Sequence, residues 1–172
     1  NISVGACSKR GMSENSALVK GVNRAWDAGL VVVVAAGNNG PRTMSITTPG
    51  ISRKVITVGC SDDDREVLVG GNRMVDYSGR GPTAACICKP DLVAPGCSVV
   101  SCAGRADKYT IKSGTSMSTP IVSGATALLL ERYPDMTNKD VKLKLRKSCT
   151  DIGLPRNQQG WGLLDVEKLV SK

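Results

Sequence analysis

The 172-residue sequence contains no histidine and no phenylalanine, and aromatic residues make up 3% of it. Without histidine there is no imidazole to act as a general base or to bind a metal. With so few rings, a core must be assembled from Val, Ile, Leu and Ala, which favours a buried parallel sheet covered by helices. The same scarcity removes the stacking platforms of a single-strand nucleic-acid binder. The net charge of +8 is therefore read as scattered surface Lys and Arg, or as the complement of acidic groups on a partner segment; no nucleic-acid partner is expected. No apolar run reaches the roughly 18 to 20 residues that span a bilayer, so no membrane partner is expected either. There is no repeat, low-complexity tract or linker that would divide the chain.

Seven cysteines are present, and an odd number leaves at least one without a partner in the chain. A zinc site from Cys86, Cys88, Cys97 and Cys102 is a weak reading, because C-x-C is not the usual ligand spacing and no histidine can help. Small buried thiols in a reducing, cytoplasmic setting are the favoured reading. Asp62-Asp63-Asp64 reads as a solvated turn; as a calcium site it lacks the EF-hand pattern.

Elements follow from periodicity. "SALVKGVNRAWDAGL" predicts a helix with Ser16 as N-cap, Gly29 as stop, and Leu18, Val22, Ala25 and Trp26 near one face. "LVVVVAAGN" and "KVITVGCS" are β-branched runs typical of strands buried on both faces. "DDDREVLVGGNRMVDYSGRGPT" reads as a surface excursion. "KPDLVAPGCSVVSC" contains a short strand between Pro90 and Pro95. "STPIVSGATALLLERYP" predicts a central buried helix, with Pro120 in its first turn and Gly124 and Ala125 allowing close packing. "TNKDVKLKLRKSC" predicts a surface helix capped by Thr137 and Asp140, with Val141, Leu143 and Leu145 inward. "GWGLLDVEKLVSK" is a turn into a last helix. The fold class is α/β, with a mainly parallel sheet and helices on both faces.

Two positions fall where such folds do chemistry. Asn38 follows the carboxyl end of the VVVV strand, where open α/β sheets bind ligands. Ser116 stands at the entrance of the apolar helix, where free N–H groups can stabilise a developing oxyanion. On spacing alone, a capping serine and a turn asparagine are the favoured readings.

"GTSMSTP", "VAPG" and "AAGN", together with "YSGRGPT", "KPDLVAPG", "VITVG" and "GWGLLDVEKLV" in the same order, resemble the blocks of the subtilisin-like serine proteases, the subtilases, over nearly the whole chain. The resemblance implies that Ser116 is a nucleophile and Asn38 an oxyanion-hole amide. It implies that Ser3, Val4 and Gly5 form a strand that pairs with substrate, and that Ala36 and Gly37 wall the side-chain pocket. Thr47 and Thr48 would lie near its base, and Thr115 would be among the substrate-binding residues. Asn38 separates the chain from the sedolisins, which carry an Asp there.

The family's chain order is Asp, His, Ser, and neither the Asp block nor the "HGTH"-like block is present. Residues 1–172 are accordingly expected to be the C-terminal portion of a subtilase catalytic domain, with an opening "NISVG" that reads as mid-strand. A companion segment or chain would carry the Asp and His, and the substrate would be a peptide or protein. Two alternatives are a non-catalytic peptide-binding relative and a serine that uses Lys112 as base, which would need a strongly lowered pKa. No cofactor is expected; a structural calcium belongs to the complete domain without assignable ligands. Family resemblance leans to secretion, the cysteine count to the cytoplasm. An exposed edge of parallel sheet predicts that the chain by itself aggregates, swaps strands or depends on a partner.

Overall fold

A computed structural model describes residues 1–6, 14–104 and 108–171. Cys7 lies outside them. The β-branched runs become β1 (Val33–Ala35) and β2 (Ile56–Cys60), and the strand between the prolines becomes β5 (Leu92–Ala94). These three form a parallel sheet in the order β1-β2-β5, with Val34 opposite Thr57 and Val58 opposite Leu92. Single parallel bridges extend it, Ile2 beside Val34 and Leu163 beside Val93. Every residue of the three strands is buried, which requires cover on both faces and explains why the runs do not alternate.

Helix α1 (Ala17–Asp27) is capped by the Ser16 hydroxyl, which accepts from Val19 N–H at 3.3 Å. Its buried stripe is Val19, Val22 and Trp26, while Leu18 points outward at 47% exposure. Helix α2 (Thr115–Arg132) lies against all three strands and packs with α5 (Val166–Val170) and α3 (Asn138–Ser148). Val122, Ala125 and Leu129 of α2 join the sheet valines in one core; each such valine or leucine side chain contributes about 1.5–3 kcal/mol on burial. Two expectations for α2 need correction. It begins at Thr115, so Pro120 falls in its second turn rather than its first. It is also not buried all round: Gly124 and Leu128 are exposed, and a Cβ on Gly124 would meet nothing within 4 Å.

Helix α3 carries the full capping box, with Thr137 Oγ1 accepting from Asp140 N–H at 3.2 Å and the Asp140 carboxylate accepting from Thr137 N–H at 3.0 Å. Val141 and Leu145 are fully buried, but Leu143 is 55% exposed. The fourth helix is a single turn, α4 (Arg156–Gln159).

The "surface excursion" is more structured than its sequence suggests. It contains the antiparallel pair β3 (Val67–Val69) and β4 (Asn72–Met74) joined at Gly70-Gly71. Asp62 and Asp63 are not a solvated turn. Asp62 Oδ1 accepts from Gly96 N–H at 2.8 Å and Cys97 N–H at 3.1 Å, and buried Asp63 accepts from Ser78 N–H at 2.7 Å. Burial pushes the Asp63 carboxyl upward, against the pull of that N–H. The hairpin β6 (Val99–Cys102) and β7 (Tyr109–Lys112) leads into α2.

Nor are the thiols uniformly buried. Cys60 is, and burial raises it to about 12 despite bonds from its neighbours, but Cys86, Cys88 and Cys102 are exposed. Among the described residues, no group of three or more His, Cys, Asp or Glu side chains is placed to hold a metal.

The amino ends of β2 and β5 enclose a charged cluster. Lys89, 1% exposed, donates to the Val55 carbonyl at 3.0 Å and pairs with Asp91 Oδ2 at 2.5 Å. Lys142 of α3 donates to the carbonyls of Arg53, Lys54 and Val55 at 2.9–3.0 Å, and its ammonium stands 3.7 Å from Asp91 Oδ1. Burial lowers Lys142 to about 8, with Asp91 opposing.

Candidate active site

The opposite, carboxyl end of the sheet carries Asn38. After β1 the chain turns at Gly37, whose φ of +92° is one that glycine adopts freely, and this directs the Asn38 side chain toward the start of α2. Asn38 Oδ1 accepts two hydrogen bonds there, from Thr115 N–H at 3.0 Å and from Thr115 Oγ1 at 3.0 Å. Thr115 Oγ1 in turn accepts from Gly37 N–H at 3.2 Å. The first residue of α2 is therefore capped from 77 positions away, and not by its own N-cap, Gly114, which has no side chain. With the amide oxygen fixed on Thr115, the Nδ2 donors of Asn38 are turned to the other side, close to Gly114. The local-turn reading of Asn38 is thus replaced by a long-range contact.

Ser116 is the second residue of α2, where a backbone N–H has no acceptor within the helix. It is not a cap. Its hydroxyl donates to the Ser3 carbonyl at 2.9 Å, and the Ser3 hydroxyl donates back to the Ser116 carbonyl at 3.0 Å. The second bond has a cause within α2. A helical carbonyl normally accepts from the N–H four residues on, and at that position stands Pro120, which has none. The vacancy is filled by Ser3.

Residues 3–5 are held at both ends: Ile2 N–H donates to Val33 O at 2.8 Å, and Ala6 N–H donates to Thr48 O at 2.9 Å. Between these segments lies a cavity of about 220 Å³ lined by Ser3, Val4, Gly5, Gly37, Asn38, Thr47, Thr115 and Ser116, with Ala35 and Asn39. Eight of the ten residues expected at the site meet there; Ala36 and Thr48 do not line it. The Ala36 side chain packs with Val19, Ile46 and Ile51, and its carbonyl accepts from Thr47 N–H at 2.9 Å. Strand alternation places Ala35 and Gly37 on the cavity instead. Thr48 is buried and pairs with Ala6. Ala35 and Asn39 were not anticipated; the first follows from that same alternation. Lys112 is exposed and is not among the lining residues, so the lysine-base alternative loses its geometry.

The sequence model of the Subtilase family matches residues 1–162. The chain belongs to the subtilase family. Serine protease AprX of Bacillus subtilis is 42% identical to this subtilase over 147 residues, which are 78% of the chain and 33% of AprX. The halolysin-like extracellular serine protease Nep of Natrialba magadii is 32% identical over 143 residues, 83% of the chain and 24% of Nep. Among solved structures, the S41 psychrophilic protease superposes with a TM-score of 0.76 at 28% identity, covering 96% of this chain and 56% of the other. The subtilase chain thus spans a third or less of those two relatives and little more than half of that structure. No helix of the described residues is long and apolar enough to cross a membrane. Neither relative's name supports the cytoplasmic setting suggested by the cysteines.

Proposed function

We propose that these residues are the serine-bearing portion of a subtilase that hydrolyses peptide bonds through an acyl-enzyme on Ser116. The observation that carries this reading is the junction of Asn38 and α2, in which Thr115 holds the amide oxygen and, among the described residues, leaves the Nδ2 group for another acceptor. An extended peptide laid along Ser3–Gly5 brings its carbonyl carbon to Ser116 Oγ. Attack forms the C–O bond, and the carbonyl oxygen gains negative charge between Asn38 Nδ2 and the Ser116 N–H. The Ser116 proton passes to a base, which returns it to the leaving amine as the C–N bond breaks; water then cleaves the ester by the same route. That base is a histidine oriented by an aspartate, from a segment outside these 172 residues, which contain no histidine. Residues 1–172 on their own are accordingly inactive. The extracellular description of Nep supports secretion.

The absence of histidine also favours a second reading, a peptide-binding relative without catalysis. Intact mass of the purified protein under native and denaturing conditions, followed by fluorophosphonate labelling, separates the two. A histidine-containing polypeptide in the complex, with labelling abolished by Ser116→Ala, is the expected result. Tight peptide binding without Ser116 labelling in a sample that contains histidine overturns the catalytic reading.

A further inference from the structure

We propose that Cys86 and Cys88 form a two-thiolate site for a soft monovalent cation, copper(I), on a pinned hairpin that precedes β5. The inference is independent of the chemistry at Ser116. Residues 81–89 fold back on themselves: Gly81 N–H donates to Lys89 O and Thr83 N–H donates to Ile87 O, each at 2.9 Å. The connection between the two arms is Ala84-Ala85-Cys86, closed by Cys86 N–H donating to Thr83 O at 2.9 Å. Burial alternates along both arms. Gly81, Thr83 and Lys89 are buried and Ile87 is half-buried, while Pro82, Cys86 and Cys88 are exposed. The period of two therefore places both thiols on the same, outer face.

The frame that carries them is held in place. Ile87 N–H donates to Thr83 Oγ1 at 3.2 Å, and Arg53 donates to the Ala85 carbonyl at 3.4 Å. Gly81 N–H donates to the Asn157 carbonyl at 2.9 Å, and Asn157 Nδ2 donates back to the Gly81 carbonyl at 3.3 Å. Ligands on such a frame bind with little ordering left to do. The backbone at Cys86 points the same way. Its φ is +56°, and three-residue hairpin loops of this form favour glycine at that left-handed position. A cysteine there is strained where glycine would not be, and strain of this kind collects at functional positions.

The donor set decides the ion. Structural zinc and iron–sulfur clusters take four ligands, and among the described residues no third His, Cys, Asp or Glu joins this pair to hold a metal. Two thiolates suit copper(I), a soft ion that favours sulfur. Binding releases both thiol protons, so one Cu+ and two S–H groups give a dithiolate complex of charge −1 and two protons. Arg53 at the loop, shared with Glu14 at 3.9 Å, and the chain's net charge of +8 favour that anionic product. The bond lost is a weak one, from Cys88 Sγ to the Arg156 carbonyl at 3.4 Å. A disulfide fits less well, because two residues of extended chain span about 6.6 Å, the upper end of the Cα separation that a disulfide tolerates.

The test uses the whole protein, histidine-bearing segment included, reduced, freed of metal and kept without oxygen. Copper(I) is titrated in competition with a chromophoric copper(I) chelator. One ion per protein is expected at this site. Cys86→Ser and Cys88→Ser are each expected to weaken its binding at least about 100-fold, beyond what the loss of an outer partner costs. Cys102→Ser, at another exposed thiol, is expected to leave it unchanged. Cys86→Gly is expected to lose the ion and to raise the thermal midpoint, because glycine adopts the left-handed conformation freely. X-ray absorption of the loaded protein is expected to show two sulfurs on each copper. Affinity retained in Cys86→Gly or in Cys88→Ser overturns the site, and so does copper held by three sulfurs or through nitrogen. A midpoint that falls in Cys86→Gly shows that the thiol serves the fold, and overturns the reading of the strain.

Discussion

Polar groups are buried at both ends of the parallel sheet, and the two ends are built on opposite plans. At the amino ends of β2 and β5, Lys89, Asp91 and Lys142 bury full charges and surround them with carbonyl acceptors. At the carboxyl end of β1, Asn38, Thr115, Ser116 and Ser3 are all neutral, and among the described residues the Asn38 amide is held through its oxygen. Groups that satisfy one another on every side hold the fold together and leave a ligand nothing to bind. A neutral cluster fixed from one side is rigid and keeps donors to offer. Charge at the amino end thus secures the sheet, while the neutral cluster after β1 leaves the field there to the helix N-terminus and to whatever negative charge a bound molecule develops.

The sharpest way to break the comparison is Asp91→Ala. Removing the one carboxylate leaves Lys89 buried beside Lys142 without a counter-charge, and a loss of about 3–5 kcal/mol is expected, read from the urea midpoint. A loss below about 1 kcal/mol would mean the ammonium groups are satisfied by carbonyls alone. Thr115→Val, at the other end, cuts the hydroxyl's bonds to Asn38 and Gly37 but leaves no charge behind. We expect a stability cost of about 1–3 kcal/mol and a larger proportional effect on Ser116 labelling, of about tenfold, because the Asn38 oxygen then keeps the backbone N–H at position 115 but loses the hydroxyl that fixes its angle.

A pH titration of stability sharpens the contrast further. Lys142 holds its proton less well folded, at about 8, than at its ordinary 10.5. Between those values the unfolded chain binds more protons, so stability rises with pH from about 8. Cys60 and Cys149, each raised by burial from 9.0 to about 12, act in the opposite direction from pH 9 upward, because the unfolded chain loses those protons first. Stability is therefore expected to pass through a maximum near pH 9, and Lys142→Met is expected to remove the rising limb. A curve that falls steadily from pH 8 would contradict the lowered lysine. The smallest effect is expected far from both clusters: Thr137→Ala, which opens the capping box of α3, costs about 1 kcal/mol and leaves Ser116 labelling unchanged.

The sequence made the sheet legible because its strands carry uninterrupted β-branched runs, and it made α1 and α3 legible because Ser16, Thr137 and Asp140 are side-chain caps. The start of α2 was misplaced for the same reason. Its cap is Asn38, distant in sequence, so no local signal marks Thr115. Leu18 and Leu143 satisfied an apolar pattern yet face outward, because the strip that packs is set by the neighbouring elements and not by hydrophobicity alone. The burial of Asp63 and Lys89 was not legible, since charged residues reach the interior only when tertiary partners receive them. The β3–β4 pair was within reach: Gly70-Gly71 between short β-formers is a hairpin signal. At the candidate site, Asn38 and Ser116 could be named from flanking motifs, whereas the exclusion of Ala36 depended on register, which shifts by a whole face with one residue.

Pro120 carries a consequence for how change is tolerated at this site. In an isolated helix an imino acid in the second turn is a defect, and a search for stabilising substitutions would remove it. Here the missing hydrogen makes the Ser116 carbonyl available to Ser3, 113 positions away. Any other residue at 120 would bring an N–H that competes for that carbonyl and loosens the strand from the helix. The spacing of serine and proline is thus a piece of long-range address written in local sequence: it tells a distant segment where to dock, and it turns the weakest link of α2 into the joint on which the cleft is aligned.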